Sequence, residues 1–435
     1  MIKKPEGTYD VLPDEAKFWE IFCKKARGTF ANFGYKEIIT PIFENTNLFE
    51  RGIGNSTDVV NKEMFKALSG GNIEKLKAGE RLRSSANLSL RPEGTAGVIR
   101  SIIENGLVQN NPGVLKLAYA GPMFRAERPQ KGRFRQFMQV GVECVGSYSP
   151  TIDAEAIIML MMFYKSIGFD MHDDDITLFL NSIGCMDCRS EYKKVLVEYL
   201  NKHKSGLCKS CIERININPL RVLDCKEKLC QKVINNAPTI DNYLCDECKQ
   251  HFESVKNYLN KSNIKYKLDS RLVRGLDYYT RTVFEVRARG LGSQDSIAGG
   301  GRYDGLMSEL GGGDVPGFGF ALGYERTLLA LQSTGFKFEP NCVVKYYVAC
   351  VDESCRDKCF SIAQTLRENK VSCEIDHLNK SLKAQLKIAN KLGCEHVFIV
   401  GPDELKQGKV TARNMKNHEQ NLIDINKIFS YVSGF

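Results

Sequence analysis

The hydrophobic pattern near the N-terminus predicts a helix that leads into a sheet. Large apolar side chains recur at helical spacing over residues 13–33, and Gly34 then ends the run. The next stretch, YKEIITPIFE, has the aromatic and β-branched character of a strand, which Pro41 interrupts. Farther along, a strand ends at Arg91, and Pro92 opens a second helix.

Two strand-like runs follow at residues 114–146 and predict a long antiparallel hairpin. The loop that joins them, RAERPQKGRFR at residues 125–135, carries five basic side chains and one acidic one. This charge density is compatible with a solvated basic hairpin and equally with a nucleic-acid contact. Residues 153–169 then predict an amphipathic to fully buried helix.

The pattern changes twice in the second half of the chain. Residues 171–262 are rich in cysteine, lysine and helix-forming residues, which predicts a helical module inserted into the sheet domain. Strands resume at Leu272, and a glycine-rich turn, AGGGRYDGL, precedes GFGFALGYERTLLALQ, which runs from strand into helix. Residues 342–435 alternate strand and helix, as in a separate α/β domain. Residues 1–170 and 263–335 are then the core of an α+β protein.

Length and composition indicate a large globular protein. The chain has 435 residues, of which 43% are hydrophobic, enough for a substantial core. Its first residues, MIKKPEGTYD, contain no apolar signal region, and the longest apolar run, residues 156–164, is too short to cross a bilayer. We therefore expect a cytoplasmic protein without a membrane partner. The net charge of +9 is spread thinly and leaves a nucleic-acid partner open.

Eight of the sixteen cysteines fall within the predicted insert. Without an export signal, reduced thiols or metal ligands are favoured over disulfides. The eight are Cys185, Cys188, Cys208, Cys211, Cys225, Cys230, Cys245 and Cys248. Three CxxC pairs and two further thiols are enough for two tetrahedral zinc sites, although redox chemistry and unligated thiols remain alternatives. His203 or His251 could replace a sulfur in a single mixed site, and the spacing does not reveal the pairing.

Familiar catalytic motifs are absent, since the sequence contains no GxxxxGK[ST], GxSxG or HExxH, and GFGFALG has the wrong glycine spacing for a dinucleotide turn. The chain instead carries arginines and carboxylates at strand ends, a set that suits chemistry by positioning and charge. One example is LVRGLDYYTRTVFEV, which places Arg274, Asp277, Tyr278 and Tyr279 just ahead of a strand. Taken alone, this stretch is also compatible with a surface turn.

Four ordered stretches resemble the histidyl-tRNA synthetase family, class II aminoacyl-tRNA synthetases, in its bacterial type. They are LRPEGTAGVIR, FRAERPQKGRFRQFMQVGVE, LVRGLDYYTRTVFEV and AGGGRYDGL. YKEIITPIFE, residues 121–143 and GFGFALGYER resemble the three class motifs. The resemblance implies an antiparallel class II sheet flanked by helices, an anticodon-binding C-terminal domain, and ATP-dependent ligation of L-histidine to its tRNA through a histidyl-adenylate.

The resemblance also implies roles for individual residues. Arg125 and Arg274 are the implied catalytic residues, and ATP is bound by Arg125 at the α-phosphate and Arg326 at the γ-phosphate. The implied histidine-binding residues are Glu93, Thr95, Arg125, Gln139, Glu143, Arg274, Tyr278, Tyr279 and Tyr303. Among them, Glu143 and Tyr279 face the imidazole, while Glu93, Thr95 and Gln139 hold the amino end. Tyr278 and Tyr303 could instead be core tyrosines. The turn glycines are expected to let the backbone approach a small substrate.

Partners follow from the same resemblance. The loop of the second motif faces the tRNA acceptor end through Arg128, Gln130, Lys131, Arg133 and Arg135, with Arg128 and Gln130 as the principal contacts. The resemblance further implies that magnesium accompanies ATP and that the chain forms a homodimer. The C-terminal domain could serve dimerisation instead of anticodon binding.

Two other function classes remain open. One is a histidine-sensing regulatory paralogue of ATP phosphoribosyltransferase, a group that typically lacks the C-terminal domain and the RGLDYY pattern, both present here. The other is a zinc-bearing nucleic-acid binder without catalysis.

Overall fold

The computed structural model describes residues 1–54, 57–170, 175–292, 295–336 and 344–433. The chain forms two compact units, Met1–Phe338 and Glu339–Phe435. The helices of the first unit are α1 (Pro13–Ala31), α2 (Thr46–Ile53), α3 (Gly70–Lys77), α4 (Thr95–Glu104), α5 (Pro150–Ile167), α6 (Met186–Lys202), α7 (Lys209–Ile217), α8 (Lys228–Ile234), α9 (Asp246–Lys261), α10 (Leu306–Glu309) and α11 (Tyr324–Ser333). Its strands are β1 (Lys36–Glu37), β2 (Phe43–Asn45), β3 (Lys66–Ala67), β4 (Leu88–Leu90), β5 (Leu115–Phe124), β6 (Gln136–Val145), β7 (Ile176–Ser182), β8 (Lys267–Leu268), β9 (Thr280–Ala288), β10 (Ser296–Arg302) and β11 (Gly317–Gly323).

An eight-stranded sheet in the order β1-β5-β6-β11-β10-β9-β7-β8 organises this unit. Its six central strands are antiparallel, and only the short edge strands β1 and β8 pair in parallel with their neighbours. The predicted hairpin is confirmed, because β5 and β6 pair from Leu115 opposite Val145 to Phe124 opposite Gln136. The observed α+β architecture agrees with the prediction from the sequence.

The predicted strand around Pro41 is split between two sheets. Its first part is β1 of the large sheet, and its second part is β2 of a three-stranded sheet, β2-β4-β3. Proline has no N–H to donate to a ladder, so a continuous strand is disfavoured there. The buried guanidinium of Arg91 partly replaces the ladder by donating to the carbonyl oxygens of Thr40, at 3.0 Å, and Pro122, at 2.9 Å.

Helices α1 and α5 contribute to the main core beside the central strands. Aromatic side chains dominate this contact; the Phe22 and Phe163 rings meet edge to face at 5.1 Å. Helix α5 begins three residues before the predicted start, because Ser149 caps it and Pro150 occupies its first turn. It also buries Asp153, which forms an ion pair with Arg302 at the end of β10, both fully buried. This ion pair fixes the residue that precedes Tyr303.

The segment predicted as a helical insert begins with a strand. Residues Ile176–Ser182 form β7 and pair antiparallel with β9 inside the large sheet. Their sequence, ITLFLNS, has the apolar and β-branched composition of a buried strand. Helices α6 to α9 follow and form the helical part of the segment, and several of their buried side chains belong to the same core as Tyr279 and Tyr303.

The second unit contains α12 (Arg356–Glu368), α13 (Leu382–Lys391), α14 (Pro402–Lys406) and α15 (Ile428–Ser433), with β12 (Tyr346–Cys350), β13 (Cys373–Ile375), β14 (His396–Val400), β15 (Lys409–Asn414) and β16 (Gln420–Asp424). Its sheet has the order β13-β12-β14-β15-β16. The first three strands are parallel, and β15 and β16 form an antiparallel hairpin, as the alternating sequence pattern predicts. Every residue of β12 and β14 is buried. Within the described part of the chain, no helix combines the length and apolarity that a membrane crossing needs.

Candidate active site

A cleft lies against the large sheet where several strands and helix starts bring polar side chains together. Strands β6, β10 and β11 supply part of the wall, and the remainder comes from the start of α4, the start of α11, the segment 274–279 and the basic loop at residues 125–134. Eight of the predicted site residues line this cleft: Glu93, Thr95, Arg125, Gln139, Arg274, Tyr278, Tyr279 and Arg326. Residues that are far apart in the sequence therefore share one concave surface.

Arg274 is held in the cleft by a carboxylate on strand β9. Its Nη1 lies 2.9 Å from Oε1 of Glu285, whose other oxygen accepts from Nε of Arg287 at 2.6 Å. The guanidinium lies directly on β10, because a Cβ at Gly299 would come within 2.4 Å of its Cζ atom. The glycine in AGGGRYDGL that was expected to admit a substrate thus makes room for Arg274 itself.

Arg125, Arg133 and Arg326 give another part of the cleft a positive electrostatic field. Nε of Arg326 donates to the carbonyl oxygen of Gly132 at 3.0 Å, and Nη1 donates to that of Ser296 at 3.1 Å. Burial lowers the pKa of Arg326, and the positive charges of Arg133 and Arg125 lower it further. Guanidinium groups that destabilise one another in this way favour an anionic ligand, and their planar forks suit phosphate oxygens.

Glu127 and Arg133 lie in this arginine-rich part of the cleft, but the sequence analysis did not assign them to it. Glu127 is buried and pairs with Arg133, whose Nε lies 2.5 Å from Oε2 of the carboxylate. Both residues line the cleft, although Arg133 was expected to face tRNA. The available signal was Glu127 itself, since it is the single acidic residue in the basic loop.

The rest of the basic loop projects away from these groups. Arg128 and Gln130 are exposed near a tight turn, in which the backbone N–H of Arg133 donates to the carbonyl oxygen of Gln130 at 2.8 Å. Arg135 instead donates to the backbone oxygen of Glu6 at 3.3 Å and so fastens the N-terminal segment. The loop therefore has an exposed tip and a base that belongs to the cleft.

Glu143 is a buried carboxyl group behind the cleft wall. The hydroxyl of Tyr303 donates to its Oε2 at 2.5 Å. Burial raises the pKa of Glu143 to about 8, and the hydrogen bond from Tyr303 opposes that rise. Its Oε1 makes no hydrogen bond of normal length to the described residues, which is unusual for a buried polar atom. Neither Glu143 nor Tyr303 is among the residues that line the cleft, and the hydroxyl of Tyr303 is engaged by Glu143.

Glu93 has a structural bond to its own helix. Its two carboxylate oxygens accept the backbone N–H groups of Thr95, at 2.7 Å, and Ala96, at 2.8 Å, at the start of α4. This arrangement satisfies two of the unpaired donors at a helix N-terminus and fixes the carboxylate on the cleft wall. Nearby, the buried Oε1 of Gln139 has no hydrogen-bond partner in the described parts of the chain. The cleft thus holds an anchored carboxylate beside an unused amide oxygen.

The two tyrosines that follow the glycine of RGLDYY are buried and pack together, with ring centroids 4.6 Å apart. The Tyr278 ring also meets that of Tyr303 edge to face at 5.8 Å. Both tyrosines of the pair line the cleft, whereas Tyr303 lies behind it. An aromatic wall next to Glu143 and Gln139 suits a flat, polar ring such as an imidazole.

The eight cysteines of the insert form two groups away from the residues that line the cleft. Cys185, Cys188, Cys245 and Cys248 make up the first group, which we name site I, and Cys208, Cys211, Cys225 and Cys230 make up site II. In each group the sulfur atoms all lie within 4.8 Å of one another, a donor set that could hold a metal ion. Neither predicted histidine belongs to these groups: His251 faces Asp153, and His203 contacts the carbonyl oxygen of Tyr199.

Comparisons with known protein families, individual proteins and solved structures all identify the same family. Residues 7–327 match the family described as histidyl-tRNA synthetase, and residues 345–434 match the anticodon binding domain. The histidine–tRNA ligase of Halothermothrix orenii is 46% identical over 422 residues, covering 96% of both chains. That of Desulforamulus reducens is 44% identical over 429 residues, covering 99% of this chain and 98% of the relative. The crystal structure of apo histidyl-tRNA synthetase from S. aureus superimposes with a TM-score of 0.81 at 34% identity and covers 99% of each chain.

Proposed function

The chain belongs to the histidyl-tRNA synthetase family and charges tRNA with histidine, and from this premise we propose how the groups of the cleft carry out the reaction. Members of this family use ATP, and residues 345–434 form an anticodon-binding domain. The observation that carries the proposal is the division of one cleft into a cationic end and an end with unused acceptors.

The first step joins two anions. A carboxylate oxygen of histidine attacks the α-phosphorus of ATP, the bond to the β-phosphate breaks, and pyrophosphate leaves from the histidyl-adenylate. Arg125 and Arg274 are the catalytic residues, because fixed cations stabilise the charge that builds on the phosphoryl oxygens. Arg326 and Arg133 hold the outer phosphates, and the cluster of positive charges around Arg326 supports this assignment.

The histidine end supplies acceptors for N–H groups. Glu143 lies behind the lining residues, and we propose that the imidazole of histidine reaches its Oε1 and donates to it, while Tyr303 holds the carboxyl group in place. Glu93, Thr95 and Gln139 bind the ammonium group, with the unused Oε1 of Gln139 as one acceptor. Tyr278 and Tyr279 enclose the ring. A substrate that lacks an imidazole N–H would leave the buried carboxyl of Glu143 without this bond.

The second step transfers the histidyl group to tRNA. A hydroxyl of the tRNA terminus attacks the carbonyl carbon of the adenylate, and AMP leaves. The exposed side chains of Arg128 and Gln130 contact the acceptor end, because they lie on the loop whose base forms the cleft. Magnesium would enter with ATP and neutralise part of the charge on the phosphates, and Glu127, which pairs with Arg133, is a carboxylate of the cleft wall. The reaction takes place in the cytoplasm.

We further propose a homodimer, supported by exposed apolar side chains around the broken first motif. Ile39, Ile42 and Phe43 are 87%, 44% and 56% exposed, respectively. Such a cluster favours an interface between copies of the chain. Sedimentation at micromolar concentration should give about twice the 49.0 kDa chain mass. A single-chain mass would contradict the dimer.

The alternative, a histidine-sensing regulatory paralogue, is less supported. The relatives reported above are named histidine–tRNA ligases over nearly their full length, and the chain includes the anticodon-binding domain. The two readings differ in one assay, the exchange of pyrophosphate into ATP in the presence of each of the twenty amino acids. The proposal predicts exchange with histidine alone, whereas a regulatory paralogue would bind histidine without exchange.

A further inference from the structure

Two short helices of the insert bury few side chains of their own, although the insert as a whole contributes to a large apolar core. Helix α7 buries only Cys211 and Ile215, and α8 buries Cys230, Val233 and Ile234. Isolated helices shorter than about 12 residues are marginal in water, so these helices depend on tertiary support. In both helices a cysteine is among the few buried residues.

The sulfur positions fit a metal better than any other chemistry of thiols. Sγ of Cys185 lies 3.5 Å from that of Cys188 in site I, and Sγ of Cys208 lies 4.0 Å from that of Cys225 in site II. Four sulfurs at about 2.3 Å from a tetrahedral zinc ion are separated by about 3.8 Å. A disulfide would require about 2.05 Å, and the fifteen cysteines of the described chain are all free thiols.

Backbone groups around the sulfurs are arranged as they are around metal thiolates. The N–H of Cys245 points to Sγ of Cys188, and the N–H of Cys208 points to Sγ of Cys230, both at 3.1 Å. Cys185, Cys208 and Cys245 also stand at the N-caps of α6, α7 and α9, where the helix dipole favours a thiolate. Bonds of this kind orient the first ligands of a metal ion.

We infer that the insert binds two zinc ions, one in site I and one in site II, and that each ion positions one end of the segment Arg274–Tyr279 in the cleft. Each site draws one CxxC pair from one part of the insert and its second pair from another, so binding joins segments that are distant in sequence. Zinc replaces the thiol protons as it binds, without a change of oxidation state, and contributes folding free energy directly.

Site I connects to the Tyr279 end of the segment. Arg189 directly follows the ligand Cys188, and its Nη1 donates to the backbone oxygen of Tyr279 at 2.7 Å. The side chain of Arg189 is buried, so this bond is shielded from water. An ion at Cys188 would therefore fix the origin of a bond that ends on the wall of the histidine pocket.

Site II connects to the same segment at Arg274, its other end, and at Asp277. Asn218 and Arg221 lie between the ligands Cys211 and Cys225. Nδ2 of Asn218 donates to Oδ1 of Asp277 at 2.7 Å, and Nη1 of Arg221 donates to the backbone oxygen of Arg274 at 3.4 Å. The two sites thus hold both ends of a short segment that carries a catalytic arginine and two pocket tyrosines. Arg189, Asn218 and Arg221 are positioning residues, since they act through that segment.

The metal content of the full chain, purified without chelator, tests the first part of the inference and does not depend on the proposed function. Elemental analysis should find two zinc ions per chain. Cys185→Ser/Cys188→Ser and Cys225→Ser/Cys230→Ser should each lose one ion, whereas Cys350→Ser, in the other unit, should retain both. Exchange of zinc for cobalt should give the visible bands of tetrahedral thiolate coordination. If the native chain carries no zinc and all eight thiols react, the sites do not exist.

The second part rests on the proposed function and is tested by kinetics. Arg189→Ala should raise KM for histidine in pyrophosphate exchange by about ten-fold, the scale of one lost charged hydrogen bond, with a much smaller change in KM for ATP. Arg189→Lys, which retains a donor, should recover most of the loss, and the exposed Lys202→Ala is the matched control. An unchanged KM for histidine in Arg189→Ala would overturn the positioning role. Absence of exchange in the wild-type chain would instead refute the proposed function, leaving the zinc count unaffected.

Discussion

The two ends of the cleft show opposite ways of preparing a buried site for a ligand. At the phosphate end, burial lowers the pKa of Arg326, and the positive charges of Arg133 and Arg125 lower it further. At the histidine end, Glu143 is held by Tyr303, and burial raises its pKa to about 8. Positive charges outnumber the single carboxylate of Glu127 among the groups of the first end, and the second end has acceptor oxygens, Oε1 of Glu143 and Oε1 of Gln139, that no hydrogen bond of the described structure occupies.

The difference shows that the protein prepares the first end with an excess of positive charge and the second end with buried acceptor oxygens. Buried polar groups without partners cost free energy, commonly about 1–3 kcal/mol each. Oε1 of Glu143 and Oε1 of Gln139 carry this cost within the described structure. The bound substrate relieves it, so each end is complementary to one substrate and unfavourable for the other.

Arg274 is one of the two proposed catalytic cations, and its removal has the largest expected effect. Arg274→Ala should lower the rate of adenylate formation by roughly 10²- to 10³-fold, the scale of losing one preorganised donor. Arg287→Ala is the matched control, because Arg287 pairs with the same carboxylate, Glu285, but does not line the cleft. Pyrophosphate exchange with histidine measures both variants. Equal loss in the two variants would assign the effect to Glu285 and not to a cation in the cleft.

The raised pKa of Glu143 predicts a pH dependence of stability. The folded carboxyl retains its proton up to about pH 8, while the unfolded one loses it near 4.5. Between these values the native state binds more protons, so this group's contribution to the free energy of unfolding falls as pH rises, by at most about 1.4 kcal/mol per pH unit.

Glu143→Gln should remove that contribution. Chemical denaturation at pH 5.5 and 7.5 would show a smaller decrease for the variant than for the wild-type chain. Identical pH dependence in both would mean that Glu143 is ionised in the free protein. Glu143→Gln retains the size of the side chain and an acceptor for the Tyr303 hydroxyl, which limits packing effects.

The tip of the basic loop should produce the smallest effect. Arg128→Ala should leave histidine-dependent pyrophosphate exchange unchanged and weaken tRNA charging by a few-fold, since one exposed cation contributes about 1 kcal/mol or less to a phosphate contact. The KM for tRNA at two salt concentrations measures this change. A loss of exchange in Arg128→Ala would place the residue in the adenylation site.

Local patterns in the sequence were sufficient for much of the fold. The hairpin of β5 and β6 and the alternating strands and helices of the second unit follow directly from hydrophobic periodicity. The strand Ile176–Ser182 was assigned to the insert because the cysteine-rich composition around it dominated the interpretation of that segment. Its pairing with β9, about a hundred residues later, depends on tertiary structure and leaves no local signal.

For the site, too, local motifs were predictable from the sequence, whereas contacts that depend on tertiary structure were not. Motif resemblance named eight of the residues that line the cleft, but it could not show that Gly299 makes room for Arg274 or that Tyr303 bonds to Glu143. The pairing of the cysteines was equally hidden, because spacing alone allows several combinations. The contact of Arg189 with Tyr279 spans 90 residues and arises from packing of the insert.

The most direct test of the two-ended cleft compares Arg326→Ala with Glu143→Gln in one pyrophosphate-exchange assay. The account predicts that Arg326→Ala raises KM for ATP by about ten-fold or more and changes KM for histidine little, while Glu143→Gln does the reverse. Both variants should be compared with the wild-type chain at pH 7.5, with each substrate varied while the other is saturating. Parallel increases of both KM values in both variants would contradict the division of the cleft into separate phosphate and histidine ends.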